Sequence, residues 1–254
     1  MTWVKCPWKR KVIYDGIEQE DGTVKRPPHQ ESIHLNFGKI IHELVGFKLQ
    51  NNVEGTKQLL LEHQNNKKFI EMYEDIGDGA DKLAEYVKKK EWKLIETELP
   101  ISSTINFKEM EQVTKRYKVD KNILPVTFNG YIDFIFEDKT GKHIIIDLKV
   151  CGWYYTKQIK EQCSMQYQIA LYKHFYASEK NVPLDNVSQG FFFILKKNRT
   201  KFEPYMITCT NYKIRNALIE LYKCYFSILG KTFFKDQSHC QWCYLRNTEF
   251  CTKT

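Results

Sequence analysis

Asp133 and Asp147 sit near the ends of consecutive apolar stretches, in Gly130-Tyr131-Ile132-Asp133 and Ile144-Ile145-Ile146-Asp147, and Leu148-Lys149 follow the second directly. If the stretches pair as strands, about 4.8 Å apart, the two carboxylates can reach one divalent cation. Magnesium and manganese take hard oxygen ligands, and one or two carboxylates plus water suffice. A lysine beside such a cation is a cationic catalytic group, and the combination suits metal-dependent cleavage of a phosphodiester. The three isoleucines before Asp147 imply burial, which is costly for a carboxylate without compensation. A shared cation would compensate both aspartates. A plain Asp147–Lys149 pairing, at i, i+2 on one strand face, would compensate Asp147 alone.

The elements that must hold these residues follow from the patterning. Strands are expected at about 125–137 and 143–150, joined by the turn Asp138-Lys139-Thr140-Gly141-Lys142. The continuous Ile144-Ile145-Ile146 run fits a strand buried on both faces. A further strand is predicted at 187–195, with 203–210 pairing across the basic turn at 196–201. Helical spacing of Phe37, Ile40, Ile41, Leu44, Val45 and Leu49 predicts a helix over 36–50 with Asn36 as its N-cap. Helices are expected at 56–75 and 79–91, broken around Gly77 and Gly79, then an extended stretch at 92–101 and a polar hairpin excursion at 102–122. A long helix at 156–180 and an amphipathic one at 211–230 complete the order, while 15–31 reads as a loop. Helices alternating with a mixed sheet make the class α/β.

At 254 residues with 42% apolar content, one large domain is expected over 1–254, with a helical insertion at about 52–91. No apolar run is long enough for a membrane span, and no secretory signal is visible, so the expected location is cytoplasmic. The net charge of +8 suits a polyanionic partner. Lys88-Lys89-Lys90, Lys115-Arg116-Tyr117-Lys118 and the 196–201 cluster are candidate phosphate contacts, or simply solvated surface.

Taken in order, Gly130-Tyr131-Ile132-Asp133, Asp147-Leu148-Lys149 and the pair Gln168 and Tyr172 resemble the PD-(D/E)XK nucleases, in particular their RecB-like branch. Gln168 and Tyr172, four apart, share a helix face. Upstream, Gly38-Lys39-Ile40-Ile41-His42 resembles the family's Gly-x-x-x-His helix, and His34 is a weaker alternative to His42. The resemblance implies a restriction-endonuclease-like core, a mixed sheet flanked by helices. It implies that His42, Asp133, Asp147 and the backbone carbonyl of Leu148 hold Mg²⁺ or Mn²⁺. Lys149 would then orient water and stabilise developing charge, with Gln168 and Tyr172 as positioning groups. Glu98 or Glu96, on the preceding strand, would help hold a metal-bound water.

Eight cysteines without a secretory signal argue against a disulfide framework. Cys151, Cys163, Cys209 and Cys224 lie singly in apolar or helical stretches and read as small core residues. Cys240 and Cys243 form a CxxC, Cys251 follows after seven residues, and Cys6 opens the chain in Cys6-Pro7-Trp8. This set resembles the iron–sulfur subset of the same family, which includes CRISPR-associated adaptation exonucleases and the AddB nuclease domain. It implies a structural 4Fe–4S cluster joining residues 1–14 to 236–254. Zinc on the same thiolates, or with His239 replacing Cys6, is the other reading.

The resemblance implies a DNA exonuclease acting on single strands or frayed ends, in recombination, replication or CRISPR spacer capture, within a host cell if virus-encoded. Trp153, Tyr154 and Tyr155 would stack on bases or pack as core or lid. Partner proteins or self-association are compatible with such roles. A nucleic-acid-binding module with a silent site and a restriction-type endonuclease are the competing readings.

Overall fold

In this computed structural model the described residues are 17–19, 21–27, 33–65, 67–115, 124–151, 163–195, 201–229, 245 and 248–251. Five strands form the central sheet: β3 (Lys93–Ile105), β4 (Val126–Glu137), β5 (His143–Cys151), β6 (Val187–Leu195) and β7 (Phe202–Ile207), side by side in that order. Two-residue strands β1 (Ile17–Glu18) and β2 (Val24–Lys25) make a separate small hairpin. All neighbours in the sheet are antiparallel except β5 and β6. A parallel pair needs a crossover, and helix α5 (Cys163–Glu179) supplies it.

Both faces of the sheet are covered. On one lie α1 (Ile33–Leu49) and α3 (Lys67–Lys89), with α2 (Val53–Glu62) between them in sequence; Ile41, Leu44 and Leu83 pack there on Phe134, Phe136, Ile144, Ile146 and Phe192. On the other, α5 and α6 (Asn211–Leu229) bring Ile169, Leu171 and Leu218 onto Ile132, Ile145, Phe191 and Phe193. The isoleucine triplet therefore sends its middle member to one core and its outer two to the other, as a doubly buried strand requires. A one-turn helix, α4 (Glu111–Thr114), lies in the connection from β3 to β4. This is the mixed α/β architecture expected of the sequence, a five-stranded sheet flanked by helices.

Three local expectations need correction. Helix α1 begins at Ile33, so Asn36 lies inside it and is not its cap. The apolar period already reaches Ile33, four residues before Phe37. Helix α3 runs unbroken through Gly77 and Gly79, and the helix before it ends ahead of a turn at 63–65 instead. Gly79 is there for close packing: a Cβ would sit 2.7 Å from Ile194 Cγ2 and 2.9 Å from the Lys201 carbonyl oxygen. Strand β3 also continues through the polar Ser102-Ser103-Thr104 to Ile105, because only its alternate residues face a core.

Two features position the site. After the pair Phe134–Ile146, β4 and β5 no longer pair; β4 stays with β3 as far as Val126–Ile105, while β5 stays with β6. The sheet thus opens between β4 and β5, and β3–β4 continues as a two-stranded arm. Elsewhere, the ends of the described chain meet: Lys25 Nζ lies 2.5 Å from Glu249 Oε2, and Ile17 packs against Leu245, Phe250 and Cys251. Among the described residues no helix is long and apolar enough to cross a membrane.

Candidate active site

Where β4 and β5 part, each strand carries an aspartate. Asp133 and Asp147 directly follow the last cross-strand pair, Phe134–Ile146, one on each strand, and lie near enough for the charge of Asp147 to be felt at Asp133. They line one pocket of about 930 Å³ with His42, Glu98, Leu148, Lys149, Gln168 and Tyr172. That volume suits a ligand of nucleotide scale. The backbone N–H of Leu148, lacking a β4 partner, donates to Asp133 Oδ2 at 2.6 Å, so the carboxylate takes the place of a ladder acceptor. In a strand the N–H and C=O of one residue point to the same edge, so the Leu148 carbonyl faces this gap too.

Helix α1 supplies His42, whose Nδ1 is 3.1 Å from Glu98 Oε1 and 3.5 Å from Asp133 Oδ1. His42, Glu98 and Asp133 each offer a ligand atom, all within 4.8 Å of one another. Of the two glutamates weighed from sequence, Glu98 is therefore the one at the site. Glu96 falls on the opposite side, where its charge is felt by Tyr176 of α5. The register shift between Leu94 and Glu96 and the left-handed backbone of Glu98, φ +51°, produce this choice. A non-glycine residue in that conformation is strained, and such strain clusters at functional sites. Neither the shift nor the twist can be read from residue types.

Asp147 stands a little apart from that trio. Gln168 Nε2 donates to its Oδ1 at 3.3 Å and to the Tyr172 hydroxyl at 3.2 Å. Its buried Oδ2 is paired with the Lys149 ammonium, 2.6 Å away. The Asp147–Lys149 pairing weighed from sequence is thus present, with Asp133 lining the same pocket. Gln168 positions Asp147 directly, a link sequence spacing did not specify. Gly130 completes the arrangement: a Cβ there would lie 2.7 Å from Tyr172 Cε1, so the glycine makes room for the ring.

The electrostatics describe an under-compensated acidic pocket. Burial, with the charge of Asp147 added, raises Asp133 from its ordinary value to about 7, against the pull of His42, the Leu148 N–H and Lys149. Burial works against the Lys149 charge, but Asp147 and Asp133 outweigh it and hold the ammonium above its usual range. In the ion-free pocket these carboxylates thus favour the charged form of Lys149. Burial also raises the Tyr172 phenol, which stays neutral. Three converging ligand atoms, two buried carboxylates and an imidazole among them fit a hard divalent cation such as magnesium or manganese.

Other sequence expectations fall elsewhere. The side chain of His34, residues 153–155, most of the basic clusters at 115–118 and 196–201, and Cys6, Cys240 and Cys243 lie outside the described residues. Cys251 is half-buried in the small cluster at the chain ends. Cys209 and Cys224 are half-buried, and burial raises both thiols, Cys224 to about 12, as suits packing residues.

No family model matches this sequence, and no curated protein matches it. Among solved structures, 13 chains match. One is a crystal structure named "Putative exonuclease" from Eubacterium rectale, with a TM-score of 0.49 and 12% identity over 84% of this chain and 74% of the other. Another, SSO0001, has a TM-score of 0.39 and 13% identity over 94% of this chain and 91% of its own. Likenesses at this level carry no functional assignment.

Proposed function

We propose that this chain is a divalent-metal-dependent deoxyribonuclease of the PD-(D/E)XK kind, an exonuclease acting on single-stranded or frayed DNA ends. The observation that carries the reading is the convergence of His42, Glu98 and Asp133 within 4.8 Å, beside Asp147 and the Lys149 ammonium, in one pocket. His42, Asp133, Asp147 and the Leu148 carbonyl, joined by Glu98, would hold Mg²⁺ or Mn²⁺. Such an ion supplies Lewis-acid polarisation of a phosphate oxygen and a more acidic water. Lys149 orients the attacking water and stabilises the negative charge that grows on the phosphate. Gln168 holds Asp147 in place through one carboxylate oxygen and is itself steadied by Tyr172. A pocket of nucleotide scale admits a scissile phosphodiester with its nearest nucleosides.

Cys6, Cys240, Cys243 and Cys251 would hold a structural 4Fe–4S cluster, in preference to zinc. What supports this is the meeting of the chain ends around Ile17, Cys251 and the Lys25–Glu249 pair. Closing so long a loop restrains the unfolded chain.

The test is cleavage of end-labelled oligonucleotides and of covalently closed circular DNA with Mn²⁺ or Mg²⁺, beside Lys149→Ala and Asp147→Ala. Cutting of linear DNA that both substitutions abolish is the expected result. If wild type binds DNA yet cuts it no faster than Lys149→Ala or Asp147→Ala, the chain is a binding module with a silent site. Digestion of closed circles would make it an endonuclease. Iron and sulfide against zinc, measured on anaerobically purified protein, decides the cysteine site.

A further inference from the structure

Resting on that reading, we infer that the exposed face of the β3–β4 arm is the track for single-stranded DNA, with Tyr131 as the stacking platform that seats a base beside the cation site. Three cross-strand pairs make this face: Thr104–Thr127, Ser102–Asn129 and Pro100–Tyr131. All six residues are exposed, while Ile101, Ile105, Val126 and Phe128 between them turn to the core under α5 and α6. Ser103, also on that covered side, bonds Glu179 of α5. At about 3.4 Å per residue, the face runs roughly 14 Å from Thr104 to Pro100.

Its chemistry is selective. It carries no carboxylate, so nothing on it repels a phosphate backbone, and the chain's net charge of +8 attracts one. The hydroxyls and the amide can hydrogen-bond phosphate and sugar without reading sequence. Tyr131 stands out because it is a large aromatic left 61% exposed on a strand whose next five residues are buried. Burial is the usual fate of such a ring within a sheet, and here the open ring lines the same pocket as Asp133 and Lys149. Pro100 opposite it extends the apolar ledge. A base lying on this ledge must be unpaired, and its 3′ or 5′ phosphate then reaches the carboxylates two residues along β4.

The experiment measures kcat/KM for a fluorescein-labelled single-stranded oligonucleotide with Mn²⁺, using wild type, Tyr131→Ala and Tyr131→Phe. An oligonucleotide of the same length carrying abasic sites is the second substrate. The Tyr131→Ala variant is expected to lose roughly tenfold or more, the range of base–aromatic stacking, and Tyr131→Phe to stay within about twofold of wild type. Wild type on the abasic strand should fall to the level of Tyr131→Ala on the normal one. Since Tyr131 is exposed, thermal melting of both variants should match wild type, which separates lost stacking from misfolding. Equal kcat/KM for wild type and Tyr131→Ala, or undiminished wild-type cutting of the abasic strand, overturns the track while leaving the nuclease reading intact. Wild-type protein that neither binds nor cuts DNA overturns both.

Discussion

Replacing Gly130 by alanine tests whether the glycine of the Gly-x-x-Asp motif serves the catalytic pocket through Tyr172. A Cβ at this position would meet Tyr172 Cε1 at 2.7 Å and its hydroxyl at 3.4 Å. Non-bonded carbons settle at about 3.5–4.0 Å, so the ring must withdraw by close to 1 Å. It has little room, being packed near Phe128 and only 7% exposed. A withdrawal of that size stretches the 3.2 Å contact to Gln168 beyond hydrogen-bonding range, and Gln168 is what steadies Asp147. Overpacking costs about 1–3 kcal/mol and a lost hydrogen bond about 1 kcal/mol. A net loss of about 2 kcal/mol corresponds to a melting point lowered by roughly 4–8 °C in a chain of this size. Removing the ring removes the clash, so the Gly130→Ala, Tyr172→Ala double variant should be less destabilised than the two singles summed, by about 1 kcal/mol or more. Thermal melts of the four proteins, with nuclease rates alongside, complete the cycle. If Gly130→Ala melts and cuts like wild type, or if the singles add without coupling, the contact is not what the glycine is for.

Further outcomes follow from the same geometry. Lys149→Met should lower kcat by about a hundredfold or more while Mn²⁺ binding, read by calorimetry, persists; activity near that of wild type would remove the ammonium from the mechanism. In EDTA, the raised Asp133 means the folded chain keeps a proton that the unfolded chain sheds near pH 4. Its contribution to stability is therefore full below pH 4 and is lost as pH rises toward 7, by a few kcal/mol at most, a trend that Asp133→Asn should flatten and Mn²⁺ should offset. In α3, Gly77→Ala should stabilise by up to about 1 kcal/mol, since a Cβ there meets only Tyr73 Cζ at an ordinary 3.9 Å, whereas Gly79→Ala should destabilise because its Cβ would strike a backbone carbonyl. Equal melting shifts for the two would refute the packing account of Gly79.

Much of the fold was legible because burial leaves a trace in residue types. The strands at 126–137, 143–151 and 187–195 announce themselves by β-branched and aromatic runs too dense for any exposed element. The aspartates could be placed on neighbouring strands for the same reason. What escaped depends on contacts distant in sequence. Glycine in a helix reads as a break until a neighbouring sheet is present to require it, as Ile194 and Lys201 require Gly79. The Ser102-Ser103-Thr104 stretch reads as the start of a polar excursion because one side of its strand has no cover. Glu98 and Glu96 are indistinguishable as letters; a one-residue shift at Ile95 and a positive φ decide between them.

The parting of β4 from β5 is the structural fact from which the pocket follows. Had the two strands stayed paired beyond Phe134–Ile146, the Leu148 N–H and C=O would be spent on the ladder, and the aspartates would face each other across it with no space for a third group. By separating, the strands free a backbone donor that fixes one Asp133 oxygen and turn a backbone carbonyl toward the gap. They also open the position that His42 enters from α1. Burial of Asp133 and Asp147 then raises the free energy of the ion-free pocket, and that same unfavourable charge is the attraction offered to a divalent cation. The arm that β4 forms with β3 is the second product of the same divergence, so the cation site and the surface leading to it arise from one departure from a regular sheet.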